Sequence, residues 1–97
     1  MKREQAIDLL HQKQDELSTR FHVASLSLFG SVARDEARME SDVDILVEFS
    51  QPVGLFHFIE LKQYLEEVLG CSVDLGTPRS LKPYIKESII QEAIRVT

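Results

Sequence analysis

The stretch FGSVARDEARMESDVDILVEF, residues 29 to 49, decides how the rest of the chain is read. Its second half alternates: Val43, Ile45, Val47 and Phe49 fall on one side, Asp42, Asp44 and Glu48 on the other. That period of two is the signature of a strand buried on one face, here over residues 42 to 49. Its first half follows another short apolar run, HVASLSLF at 22 to 29, which stops at Gly30 and predicts a buried strand. The polar residues between, 31 to 41, hold one possible helical turn after Ser31. Too short for a crossover helix, they predict two antiparallel neighbours.

Helical spacing frames this pair on both sides. Ala6, Ile7, Leu10 and Leu17 predict an amphipathic helix over 3 to 19. Leu55, Phe58, Ile59, Leu65 and Leu69 predict another over 55 to 69, with Pro52 and Gly54 turning into it and Gly70 ending it. CSVDL, 71 to 75, reads as a third strand. Pro83 suits the first turn of a last helix, in which Ile85, Ile89, Ile90, Ala93 and Ile94 form the apolar side. The order αβ(α)βαβα predicts an α/β (α+β) fold, a small mixed sheet of at least three strands with helices on one face.

Composition bounds the rest. With 97 residues, 43% hydrophobic and 28% charged, the expectation is one domain over 1–97 with one core and one site. Sixteen acidic residues against eleven basic ones give a net charge of −5, which speaks against strong direct nucleic-acid binding through phosphates. Cys71 is the only cysteine, excluding an internal disulfide framework and a thiolate zinc cluster. Neither a signal-peptide core nor a membrane-length apolar run is legible, so a cytoplasmic protein is expected.

The chemistry sits in the loop and at the strand start. Asp42 and Asp44, two apart on a strand, project from one face. At an effective dielectric near 20, two charges about 4 Å apart repel by roughly 4 kcal/mol, so such a pair needs solvent, a shared proton or a cation. Hard carboxylate oxygens suit Mg²⁺, which completes its shell with water and phosphate oxygens. Asp74, between the core-directed Val73 and Leu75, offers a third carboxylate. Gly30 permits a sharp turn and close backbone approach to a ligand. The amides after it, with the Ser31 hydroxyl, suit an anion. Arg34, one turn later, is placed to reach a phosphate, and Arg38 is a second cation to consider.

FGSVAR, SDVDILVEF and VDLGTPRSLKP together resemble the small nucleotidyltransferases of the DNA polymerase β-like superfamily. The resemblance spans the chain and is strongest to the minimal (MNT) subgroup paired with HEPN-domain proteins in toxin–antitoxin operons. It implies transfer of a nucleoside monophosphate, AMP from ATP, with release of pyrophosphate. Asp42, Asp44 and Asp74 then match the metal-binding and catalytic carboxylates, serving two Mg²⁺ ions. Gly30, Ser31 and Arg34 match the triphosphate-binding turn. Asp35 stands where relatives often have Gly and brings a negative charge towards the phosphates. The implied acceptor is a tyrosine hydroxyl on a HEPN ribonuclease toxin, which makes this chain the antitoxin. Two alternatives stand beside it: an antitoxin acting by binding alone, and an enzyme modifying a small molecule of aminoglycoside type.

Other reactive side chains are expected to be structural. His11 reads as solvated, His22 and His57 as partly buried and hydrogen-bonded, Cys71 as a small core residue. Glu66 reads as part of a solvated helix face. Leu55, Phe56 and Phe58 read either as core or as a partner surface.

Overall fold

The computed structural model describes residues 1–36 and 42–97. Their elements run α1 (Arg3–Gln12), α2 (Gln14–Phe21), β1 (Val23–Phe29), α3 (Gly30–Ala33), β2 (Val43–Phe49), α4 (Leu55–Leu69), β3 (Val73–Gly76), a 3₁₀ turn (Pro78–Ser80), α5 (Pro83–Glu92) and β4 (Ile94–Arg95). The sheet order is β3-β2-β1-β4. β1 is antiparallel to β2 and β4, whereas β2 and β3 are parallel. The mixed sheet and the antiparallel first pair are as the sequence predicts. Among the described residues, no helix is long and apolar enough to cross a membrane.

One face of the sheet carries the core. Val43, Ile45 and Val47 of β2 are fully buried, and Leu26 and Leu28 of β1 join them. Ala6 and Leu10 of α1, Leu17 and Phe21 of α2, and Leu61, Leu65 and Leu69 of α4 complete the same cluster. Burying each large apolar side chain contributes about 1.5–3 kcal/mol, so this face supplies most of the driving force for folding. The predicted stop of α4 holds: Gly70 takes a left-handed conformation (φ 71°) and its N–H donates to the Glu66 carbonyl at 2.8 Å.

Three local readings change. The first helix is two, because the ladder tightens at Lys13, whose N–H donates to Leu10 at 3.1 Å. The last helix buries no side chain and ends at Glu92, leaving Ile90 45% exposed. Ala93 is extended, and Ile94 pairs with Leu28 as the start of a fourth strand. Val96 then donates its N–H to the Leu26 carbonyl at 2.7 Å and is buried. Glu66 is not merely solvated: its Oε2 accepts the Val73 N–H at 3.0 Å and fixes the start of β3 beneath α4.

Two of the histidines, His11 and His57, are structural hydrogen-bonding groups. His57 Nε2 lies 2.7 Å from the Phe21 carbonyl, as its partly buried reading predicts. His11 is exposed, as predicted, and its Nε2 also lies 2.6 Å from the Val96 carbonyl, tying α1 to the C-terminal strand. Cys71 is a partly buried free thiol packed against the core, and burial pushes its pKa up.

Candidate active site

Register brings the predicted residues together. Asp44 is opposite Phe29, the residue before Gly30, and beside Asp74 on the parallel strand. Adjacent strands lie about 4.8 Å apart, so these two carboxylates on one face are neighbours. Asp42 is exposed immediately ahead of β2. All three lie at the same end of the sheet, on the face away from the core.

Gly30 is left-handed (φ 68°) and opens α3 directly against Asp44. A methyl group on Gly30 would collide with the Asp44 Oδ2 and lie 3.1 Å from its Cγ. The glycine is therefore required twice, for its backbone angle and for its missing side chain. The first hydrogen bond of the turn runs from the Arg34 N–H to the Gly30 carbonyl, at 3.2 Å. The amides ahead of it, Ser31 included, are left over by the turn itself.

The electrostatics follow from this crowding. Asp44 is held above the ordinary carboxylate range, first by partial burial, then by repulsion from Asp74 and Asp42, while Arg34 pulls the other way. It thus senses the other three predicted charged groups. Arg34 is itself engaged: its Nε donates to Glu36 at 3.2 Å and its NH1 to Glu92 at 3.1 Å. These carboxylates raise the guanidinium pKa further, the Glu36 hydrogen bond most. A guanidinium has five N–H donors, so the two bonds leave others for a ligand. Arg38 lies outside the described residues.

Asp35 does not face the Gly30-Ser31 turn. It takes a left-handed conformation (φ 58°), which explains why glycine suits this position and why aspartate is among the residues that tolerate it. Its Oδ1 accepts the Arg3 backbone N–H at 3.1 Å, and the Arg3 NH1 donates to the Ala33 carbonyl at 3.2 Å. The start of α1 is thereby bound to the end of α3. Glu92 was not legible as a site neighbour, being 58 residues from Arg34 with no short spacing to announce the pair, and Glu36, only two residues away, carries no motif that singles it out.

Among the described residues, no three His, Cys, Asp or Glu side chains close into a metal cage on their own. The donor set nevertheless fits Mg²⁺, whose usual sites use one or two carboxylates and leave the other positions to water and phosphate. The repulsion that raises Asp44 is what a divalent cation relieves. A cleft of about 820 Å³ lies elsewhere, between the end of β2, the start of α4 and the 3₁₀ turn, with Arg79 and Lys86 on its wall.

The sequence profile of the nucleotidyltransferase domain family matches residues 10–96. This chain belongs to that family. The nucleotidyltransferase is 43% identical over 93 residues to the protein adenylyltransferase MntA of Thermococcus cleftensis, covering 96% of this chain and 94% of that one. It superposes on a structure described as a minimal nucleotidyltransferase with a TM-score of 0.77 and 38% identity, over 97% of this chain and 95% of the other. A more distant match, at TM-score 0.65 and 22% identity, covers 94% of this chain and 71% of a chain in a complex of a tri-AMPylated Shewanella oneidensis HEPN toxin with its MNT antitoxin. The resemblance drawn from the sequence motifs is borne out, as is the mixed-sheet fold. The nucleotidyltransferase is an enzyme of nucleotidyl transfer.

Proposed function

We propose that this nucleotidyltransferase moves AMP from ATP onto a tyrosine hydroxyl of a HEPN-domain partner in the cytoplasm, and so acts as that toxin's antitoxin. The observation that carries the reading is Asp44, wedged against Gly30 and paired in register with Asp74. Phosphate turn and carboxylates are thus one site. The T. cleftensis relative's name supports adenylyl transfer to protein, and the S. oneidensis complex supports a HEPN partner.

Asp42, Asp44 and Asp74 would hold Mg²⁺, which when bound neutralises charge on the phosphates during transfer. Gly30 lets the backbone approach the β- and γ-phosphates, while the Ser31 hydroxyl and amide donate to them. Arg34 contributes its remaining donors. Asp74, exposed on the edge strand β3, takes the acceptor's proton. The hydroxyl oxygen then bonds to the α-phosphorus, the bond from that phosphorus to the bridging oxygen breaks, and pyrophosphate leaves with the electron pair.

Incubating the purified chain and its HEPN partner with α-labelled ATP and Mg²⁺ is expected to label the partner. The Asp42→Asn/Asp44→Asn double variant should lower the rate by about 10²–10³-fold, the range seen when a transition-state charge partner is removed. A wild type that leaves the partner unlabelled sinks the reading. So does a double variant that labels normally.

A further inference from the structure

The carboxylates occupy one end of the sheet, and the cleft of about 820 Å³ opens at the other. Register fixes the separation. Asp44 pairs with Phe29 at one end of β1, and Phe49 pairs with Val23 at the other. The strand between Asp44 and Phe49 spans about 16–17 Å. The cleft is lined by Phe49, Leu55 and Phe58, with Glu48, Arg79 and Lys86 as its charged groups. Neither the three aspartates nor the Gly30-Ser31 turn lines it.

α4 leaves apolar side chains beside this cleft. Its inner side buries Leu61, Leu65 and Leu69, and Phe58 packs against the same core. Leu55 and Phe56, by contrast, are 71% and 82% exposed, and Ile59 is exposed as well. Leu55 and Phe56 each lie about one turn from Ile59, so the three form one patch. The alternative left open by the sequence is thereby split: Phe58 belongs to the core, Leu55 and Phe56 to a surface. A single exposed leucine is ordinary. Adjoining aromatic and aliphatic side chains at the rim of a concave surface mark a protein interface.

Charge says what covers the patch. Among the described residues, Arg79 and Lys86 form no ion pair, in a chain whose net charge is −5. Set against Glu48 alone, they leave the cleft wall net positive. In a two-fold contact the same patch meets itself, so a second copy would set like charge against like. A segment bearing carboxylates beside apolar anchors complements both features. We propose that the cleft and the α4 patch dock such an acidic, amphipathic segment of the acceptor protein and hold it apart from the chemistry. The inference rests on the reading that the acceptor is a protein partner. Docking raises the effective concentration of the acceptor hydroxyl at the carboxylates without adding a contact there.

The test uses the chain with its purified HEPN partner. Phe56→Ser removes the most exposed anchor at a position the fold does not need, and Arg79→Glu/Lys86→Glu reverses the charge of the wall. Each is expected to raise the Kd and the KM for the partner by about tenfold or more, the scale of a lost anchor. The kcat at saturating partner and the KM for ATP should stay within about twofold of the wild type. Wild-type binding should weaken with added salt, and the charge reversal should flatten that dependence. A p-benzoylphenylalanine placed at position 56 should crosslink to a partner peptide that contains Asp or Glu.

Partner binding unchanged in both variants overturns the proposal. So does a photoprobe that captures a second copy of this chain, or one that captures no partner peptide. An ATP affinity that falls together with partner affinity also overturns it, since the cleft would then hold the nucleobase. Asp44→Asn separates docking from chemistry: it is expected to bind the partner as tightly as the wild type while transfer falls sharply. If the wild type leaves the partner unlabelled, the assigned activity fails. If it labels the partner and both surface variants bind normally, only the docking surface fails.

Discussion

The two faces of β2 are made of consecutive residues and behave as two different materials. Val43, Ile45 and Val47 are fully buried against the helices, whereas Asp44, Leu46 and Glu48 form the floor of an open surface with three converging carboxylates at one end. The first face is close-packed and apolar, so its contribution to stability scales with area. The second carries charges that repel one another and are retained at a cost to the free protein. One strand therefore holds the fold together with its odd residues and, in the reading proposed above, places the chemistry with its even ones. A change at an odd position should be felt in folding first, a change at an even position in catalysis first.

The sharpest break of that division comes from the odd side. Ile45→Ala deletes a fully buried side chain between β1 and β3. It should cost about 2–4 kcal/mol, a large part of the total stability of a domain this size. Urea denaturation reads it directly, as a lower midpoint with an unchanged slope. At a temperature where the variant is still folded, the KM for ATP should match the wild type. A shifted KM with intact stability would mean that the two faces are not separable.

Gly30 is where the faces meet, and its substitution should fall between the two extremes. Gly30→Ala puts a side chain at φ 68° and against Asp44. The left-handed backbone costs about 1–2 kcal/mol for a non-glycine residue. Relief of the clash must also move the Asp44 carboxylate or the turn itself. Stability should fall by roughly that amount while ATP affinity falls as well, measured by thermal shift and by nucleotide titration on the same preparation. Loss of stability with ATP affinity preserved would remove Gly30 from the phosphate site.

How much of this could be read from the sequence depends on range. The alternation in 43 to 49 and the Gly70 stop of α4 are local signals, and both hold. The convergence of Gly30, Asp44 and Asp74 was legible because each lies at a strand end, where register follows from topology. β4 was not: two residues have no periodicity, and Ile94, four after Ile90, continues a helical spacing by coincidence. What makes it a strand is the edge offered by Leu26, Ser27 and Leu28 nearly 70 residues earlier. Asp35 shows the same limit in the other direction. Its charge was legible, but its direction, away from the phosphate turn and onto the Arg3 amide, depends on a helix that starts 32 residues before it.

The smallest predicted effect is also the one with the opposite sign. Asp44 titrates above its ordinary value of 3.8 because burial, Asp74 and Asp42 all disfavour its charge. Between that value and the raised one, the unfolded chain releases its proton before the folded protein does. Folding stability therefore falls as pH rises through this window, and above it the full cost remains. Asp44→Asn removes the cost. Because the carboxylate is only partly buried, the gain is discounted for solvent screening to about 0.5 kcal/mol, or roughly 2–4 °C in Tm for a domain of this size. The variant should thus melt above the wild type at pH 7 without metal, and the two should converge below about pH 4. Added Mg²⁺ should raise the wild-type Tm and leave the variant nearly flat, since only a ligand bound by the folded state stabilises it. An Asp44→Asn protein that melts lower at neutral pH would mean that Asp44 supports the fold after all. The division between the two faces of β2 would then fail at the residue on which the site depends.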